Sequence, residues 1–285
     1  MQSALSAIKS IEVENWLNGL LREDGEPTAP ATRAKIRNVM SAVFSHAIRY
    51  GWIPYNPIKA VRTSTQRLRD PDLLSPKELQ ALLRELHPRE RTMVLLDAST
   101  GLRRGELMAL RWGDIDFETL IARVTRSIYR NVIGKPKTAA SKKPVPLHPI
   151  VAAELKLWRA ESAYRADSDF LFPSDRKKGE LPLRPDMILK RYIRPVLAEM
   201  GVEKRIGWHS FRHGLATMLR QKNVDLKVAQ DILRHANSRI LIDIYQQAVT
   251  DEKREAQDRA LKGFLGPAFP SAPKRISEKR GQVYK

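Results

Sequence analysis

The chain has 285 residues, with 51 Lys and Arg against 32 Asp and Glu, a formal net charge of +19 and no cysteine. Without cysteine there is no disulfide framework, thiolate metal site or thiol nucleophile, so the reactive groups must be oxygen or nitrogen. The positive excess is beyond what solubility favours and points to a polyanion such as nucleic acid, and no uninterrupted apolar run of about 18 residues offers a membrane span.

Residues 1–62 read as a small helical bundle. Leu5, Ile8, Val13, Trp16, Leu17 and Leu20 recur at roughly helical spacing, and Ile36, Val39, Met40, Val43, Phe44 and Ala47 do so more cleanly. Pro27 and Pro30 bracket the connection, and Gly51, Pro54 and Pro57 end the second helix. The opening lacks the apolar stretch of a signal peptide, so a cytoplasmic protein is expected. The polar segment 63–72 reads as an interdomain linker.

A second domain is expected over 73–264. Ser75, Pro76 and Glu78 have the order of a capping box with Pro at the first helical position. From Asp114 to Leu147 the pattern changes to short β pieces, joined through Gly134, Pro136 and Lys137, as in a small antiparallel sheet. Helical patterns return over 149–166, 185–200, 209–222, 225–234 and 239–261. The last stretch, 265–285, is rich in Pro, Ser and basic residues and reads as a flexible basic tail. The fold class is therefore mainly α with a small antiparallel β-sheet, in two domains.

The chemistry lies in an ordered set: Thr100-Gly101-Leu102-Arg103-Arg104-Gly105-Glu106-Leu107, then Lys137, then His209-Ser210-Phe211-Arg212-His213, then Leu233-Arg234-His235, and Tyr245. In this order the residues resemble the tyrosine recombinase, or phage integrase, family over roughly 73–250. That pattern has an Arg in a TGLR turn, a hairpin Lys, an H-x-x-R helix start, a second His, and a Tyr ten residues on. Residues 11–62 resemble the family's helical core-binding domain by generic helix pattern.

Independent chemistry favours the same residues. An in-line attack on a phosphodiester gathers negative charge on the nonbridging oxygens, which planar guanidinium groups bind through paired hydrogen bonds. Arg103 and Arg212 would form that clamp. A phenol is far easier to ionise than an aliphatic hydroxyl, which suits Tyr245 as nucleophile. The leaving oxygen gains from a positioned proton donor, a role for Lys137, although Lys135, Lys142 and Lys143 offer the same chemistry. His209 stands at a helix start with Arg212 three residues on and is the general acid–base candidate. The resemblance implies that His235 hydrogen-bonds a phosphate oxygen and that Glu106 orients Arg103 or His209.

The resemblance further implies a C-shaped clamp on double-stranded DNA, a homotetramer at synapsis, integration or excision through a 3′-phosphotyrosine, and no metal, ATP or other cofactor. Residues 247–264 would dock on a neighbouring protomer. Family integrases often carry an additional N-terminal domain for arm-type DNA sites, and a chain shortened at that end is one expectation here. The sequence departs from the family at Gly105, often Ser, at Ser210-Phe211, commonly Asp-Leu, and at Arg234, frequently Gly. Arg234 is expected to shift His235 or to add a phosphate contact. Three other readings stay open: a catalytically impaired DNA-binding relative, a metal-dependent hydrolase using His209, His213 and His235, and a topoisomerase-like relaxing activity.

Overall fold

The computed structural model describes residues 5–64, 71–136 and 138–234. The chain divides between Pro71 and Asp72 into two units.

In the first unit, helix α1 (Ser10–Asn18) begins where the Glu12 carboxylate accepts from the Lys9 backbone N–H at 3.0 Å. Helix α2 (Pro30–Arg49) opens on a proline, whose missing N–H has no partner to lose in a first turn. It closes at Gly51, where φ is +70° and Trp52 N–H returns to Ala47 O at 3.0 Å. Val13, Leu17, Phe44 and Ala47 are buried with Ile53, Ile58 and Val61, and Ile8, Leu20, Ile36 and Met40 pack against them. The predicted apolar face was too wide. Leu5, Trp16, Val39 and Val43 are exposed, because loop residues after α2 fill the space that a broader helix–helix contact would need. Buried Asn56 fixes that loop, accepting from Ile58 N–H and donating to Ser41 O.

The second unit is mainly α with small antiparallel sheets. Ser75 and Glu78 form the predicted capping box at the start of helix α3 (Pro76–Glu85). Helix α4 (Pro88–Thr100) runs through the core and ends at Gly101. There φ is +58°, and a Cβ would lie 2.8 Å from the Leu233 side chain, so both conformation and space call for glycine. Helix α5 (Arg104–Ala109) follows at once.

The β region holds two sheets where one was expected. Strands β1 (Ile115–Asp116) and β2 (Ile121–Ala122) join β5 (Val145–Pro146) in the order β1-β2-β5, while β3 (Ser127–Tyr129) and β4 (Val132–Gly134) form a separate hairpin. Arg130 and Asn131, both with positive φ, make its two-residue turn. Between β4 and β5 a 3-10 turn, Ala139–Lys142, forms around Thr138, whose side chain accepts from Ser141 N–H.

Helix α6 (Pro149–Glu161) stops five residues earlier than its apolar pattern suggests. Helix α7 (Pro185–Ile188) passes through a π turn, Leu189–Ile193, into α8 (Arg194–Glu199). Pro195 lacks the N–H that regular α geometry would use, and the wider turn absorbs that interruption. Helices α9 (Trp208–Gln221) and α10 (Leu226–Leu233) complete the described part. The helix expected over 239–261 lies outside the described residues, as does the tail over 265–285. Among the described residues no helix is long and apolar enough to cross a membrane.

Candidate active site

Arg103 stands at the junction of α4 and α5, immediately after the turn that Gly101 permits. Its Nη1 donates to Glu106 Oε1 at 2.9 Å and to Ser141 Oγ at 2.7 Å, and its Nη2 donates to the Arg234 carbonyl at 3.1 Å. The side chain remains 35% exposed, so an incoming anion can reach it. Nε and one Nη2 hydrogen have no partner among the described residues. Donors therefore remain on the guanidinium for the oxygens of a phosphate.

Arg212, on α9, is buried. Its Nη1 donates to Gly101 O and its Nη2 to Leu233 O. Loss of water and the nearby Arg103 charge bring its pKa down to about 10, so the group stays cationic at neutral pH. The two arginines thus meet on consecutive carbonyls, Leu233 and Arg234, at the end of α10 and directly before His235.

Glu106 is buried between guanidinium groups. Burial works to raise its pKa, but the Arg234 and Arg103 charges and the Arg103 backbone N–H outweigh it and hold the carboxyl below its ordinary value. It therefore stays ionised, as a buried acid with charged partners should. It accepts from the Arg103 backbone N–H and from Arg103 Nη1, and among the described residues no hydrogen bond to His209 is seen.

His209 occupies the first turn of α9 and is exposed. Loss of water on its protein side, followed by the charges of Arg104, Arg212 and Arg103, lowers its pKa. The ring is neutral at pH 7, the form that can accept a proton. Lys137, His235 and Tyr245 lie outside the described residues. Among the described residues no group of three His, Asp or Glu side chains is placed to hold a metal ion.

The expected shift of His235 lies outside the described residues, and Arg234 corrects the expectation that it adds a phosphate contact. It takes no exposed position suited to a phosphate: it is 1% exposed, with Nη2 on Glu106 Oε2 at 2.6 Å and Nη1 on Ser141 O at 2.9 Å. Its φ of 51° and ψ of 45° are left-handed, which accounts for glycine being frequent there in the family it resembles. Gly105 has a comparable local reason, since a Cβ would fall 2.5 Å from Ile128 O on β3.

Residues 72–252 match the model of the phage integrase family. The chain belongs to that family. Its enzyme class is accordingly the tyrosine recombinases. A tyrosine recombinase XerC-like protein of Caldanaerobacter subterraneus subsp. tengcongensis is 28% identical over 282 residues, covering 88% of this chain and 70% of that protein. The tyrosine recombinase XerA of Pyrococcus furiosus is 29% identical over 273 residues, 88% of each. Among solved structures, the Tn1549 transposon integrase in complex with a circular intermediate DNA superposes with a TM-score of 0.73 at 20% identity, over 90% of this chain and 86% of that one. A lambda integrase dimer bound to a core site gives 0.62 at 20% identity, over 86% and 82%. At such identities the structural likeness establishes the fold of this integrase-family chain, whose site is read from its own residues.

Sequence reasoning missed three members of this neighbourhood. Ser141 and Thr138 carry no motif. Asp97, on α4, is fully buried, and neither carboxylate oxygen has a hydrogen-bond partner among the described residues. Burial raises its pKa well above the ordinary value, against the pull of Arg212.

Proposed function

We propose that this integrase-family recombinase cuts and rejoins double-stranded DNA through Tyr245. The observation that carries the reading is the meeting of Arg103 and Arg212 on adjacent carbonyls one residue ahead of His235. Two guanidinium groups held there can bind the nonbridging oxygens of one phosphate as charge builds in the transition state.

In the proposed step the Tyr245 oxygen attacks phosphorus in line and passes its proton to neutral His209. The bond from phosphorus to the 5′ oxygen breaks, and Lys137 gives its proton to that leaving oxygen, which departs as a free 5′-hydroxyl. His235 donates to a phosphate oxygen, and Glu106 keeps Arg103 aimed. The phosphotyrosine retains the energy of the cut strand, so a second 5′-hydroxyl can reverse the step without nucleotide.

The net charge of +19 and the DNA-bound state of the structural relatives support duplex DNA as substrate. Residues 1–62 would serve as the core-binding domain, 63–72 as the linker and 73–264 as the catalytic domain. A homotetramer would join two sites, and work on such DNA would take place in the cytoplasm.

The test is covalent trapping on a nicked duplex carrying a site selected from a randomised pool. Wild type should give an SDS-stable protein–DNA adduct and Tyr245→Phe none. Binding by both without an adduct from either would make the chain a noncatalytic DNA-binding relative.

A further inference from the structure

We infer that Arg234 and Ser141 are positioning residues that hold Arg103 in the orientation needed to receive a phosphate, an assignment that rests on the recombinase reading above.

The contacts form a closed ring. Arg103 Nη1 reaches Glu106 Oε1 and Ser141 Oγ, Arg234 Nη2 reaches Glu106 Oε2, Arg234 Nη1 reaches the Ser141 carbonyl, and the Arg234 carbonyl accepts from Arg103 Nη2. Thr138 Oγ1 lies 2.9 Å from Ser141 Oγ and extends the ring to the residue after Lys137. Three segments distant in sequence are thereby tied together: the start of α5, the turn after Lys137, and the end of α10 before His235. Each of them borders a residue assigned to the reaction.

The ring also decides how Arg103 meets Glu106. An isolated Arg–carboxylate pair tends toward two parallel hydrogen bonds, which would consume the guanidinium edge that a phosphate needs. Here Oε2 is filled by the Arg103 backbone N–H at 3.0 Å and by Arg234 Nη2 at 2.6 Å. Only Oε1 remains for the Arg103 side chain, and Ser141 Oγ takes the other Nη1 hydrogen. Nε and one Nη2 hydrogen are left without a partner among the described residues, on a side chain that is 35% exposed.

Two observations argue that Arg234 is more than filler. A guanidinium that is 1% exposed is rarely tolerated without a charged partner, and this one has a carboxylate and a carbonyl, although its Nε has no hydrogen-bond partner among the described residues. Its backbone also keeps a left-handed conformation in which a glycine would be unstrained.

The measurement is single-turnover adduct formation on the nicked, selected duplex, with DNA affinity and melting temperature recorded for each variant. Arg234→Met should slow adduct formation at saturating DNA on the order of 10- to 100-fold, as loss of supporting contacts does at metal ligands. DNA affinity should change far less. Ser141→Ala should slow it less, without stranding a charge, and Arg234→Lys should recover part of the Met loss. Should Arg234→Met fail to fold, Arg234→Met combined with Glu106→Gln removes the unpaired carboxylate and should still be slow. Wild-type rates in the folded variants, or a loss confined to DNA affinity, would overturn the assignment. If wild type itself gives no adduct, the recombinase reading fails on its own account. The ring is then judged by a melting cycle of Arg234→Met and Glu106→Gln, in which additive shifts count against it and strong coupling upholds it.

Discussion

Replacing Gly105 by Ala tests how closely α5 is packed on the β3–β4 hairpin. The added methyl would stand 2.5 Å from Ile128 O and 2.8 Å from Ser127 Oγ, and the nearer of these is backbone that cannot rotate away. Overpacking of this kind costs about 1–3 kcal/mol. Alanine regains up to about 1 kcal/mol of helix propensity, less in a first turn such as this. The expected net loss is about 1–2 kcal/mol. For a unit of this size, about 2–4 °C of melting temperature follows each kcal/mol, so the shift should be about 2–8 °C downward by calorimetry. Gly105→Ser should lose at least as much, although serine is frequent at this position in the family. An unchanged or raised melting temperature for Gly105→Ala would refute the reasoning, because it would mean that the hairpin yields freely and does not fix the start of α5.

Three further outcomes are expected. Asp97 has a raised pKa in the folded chain, so between the ordinary aspartate range and that higher value the unfolded chain releases a proton that the folded chain keeps. Stability should therefore fall as pH rises through that window, and Asp97→Asn should flatten the curve in denaturant titrations; an unchanged slope would contradict this. His209 has a lowered pKa, so below its ordinary value of 6.5 the unfolded chain takes up a proton first and stability falls with falling pH. Its NMR titration midpoint should lie below 6.5, and a midpoint above that value would remove the neutral base from the proposed step. Binding to duplex DNA should weaken by orders of magnitude between about 50 and 200 mM salt, as phosphate contacts require, and salt-insensitive binding would argue against a basic DNA-binding surface.

What the sequence made legible was mostly local. The Ser75–Glu78 box, the glycine turn ahead of Arg103 and the helix start at His209 each depend on residues within a few positions, where the physics of caps and turns acts directly. The face of α2 was misread because apolar periodicity shows which residues share a side and not how much of that side finds a partner; Val39 and Val43 fit the period and remain exposed. The division of the β region into two sheets depends on pairing β2 with β5 across the hairpin, which composition does not encode. A phosphate contact was expected of Arg234 because its partner, Glu106, is 128 positions away and only the fold brings them together.

Arg212 is held by two uncharged oxygens, and no hydrogen bond joins it to the buried carboxylate of Asp97. A full positive charge therefore sits in a poorly solvated place with only dipoles in direct contact, while the Glu106 and Asp97 carboxyls steady it from a distance. An anion arriving there need not break an ion pair before it binds. The site is in this sense electrically unfinished, and whatever stability the chain loses by keeping that charge should return when a phosphate binds there, making the folded protein harder to melt with its substrate than without.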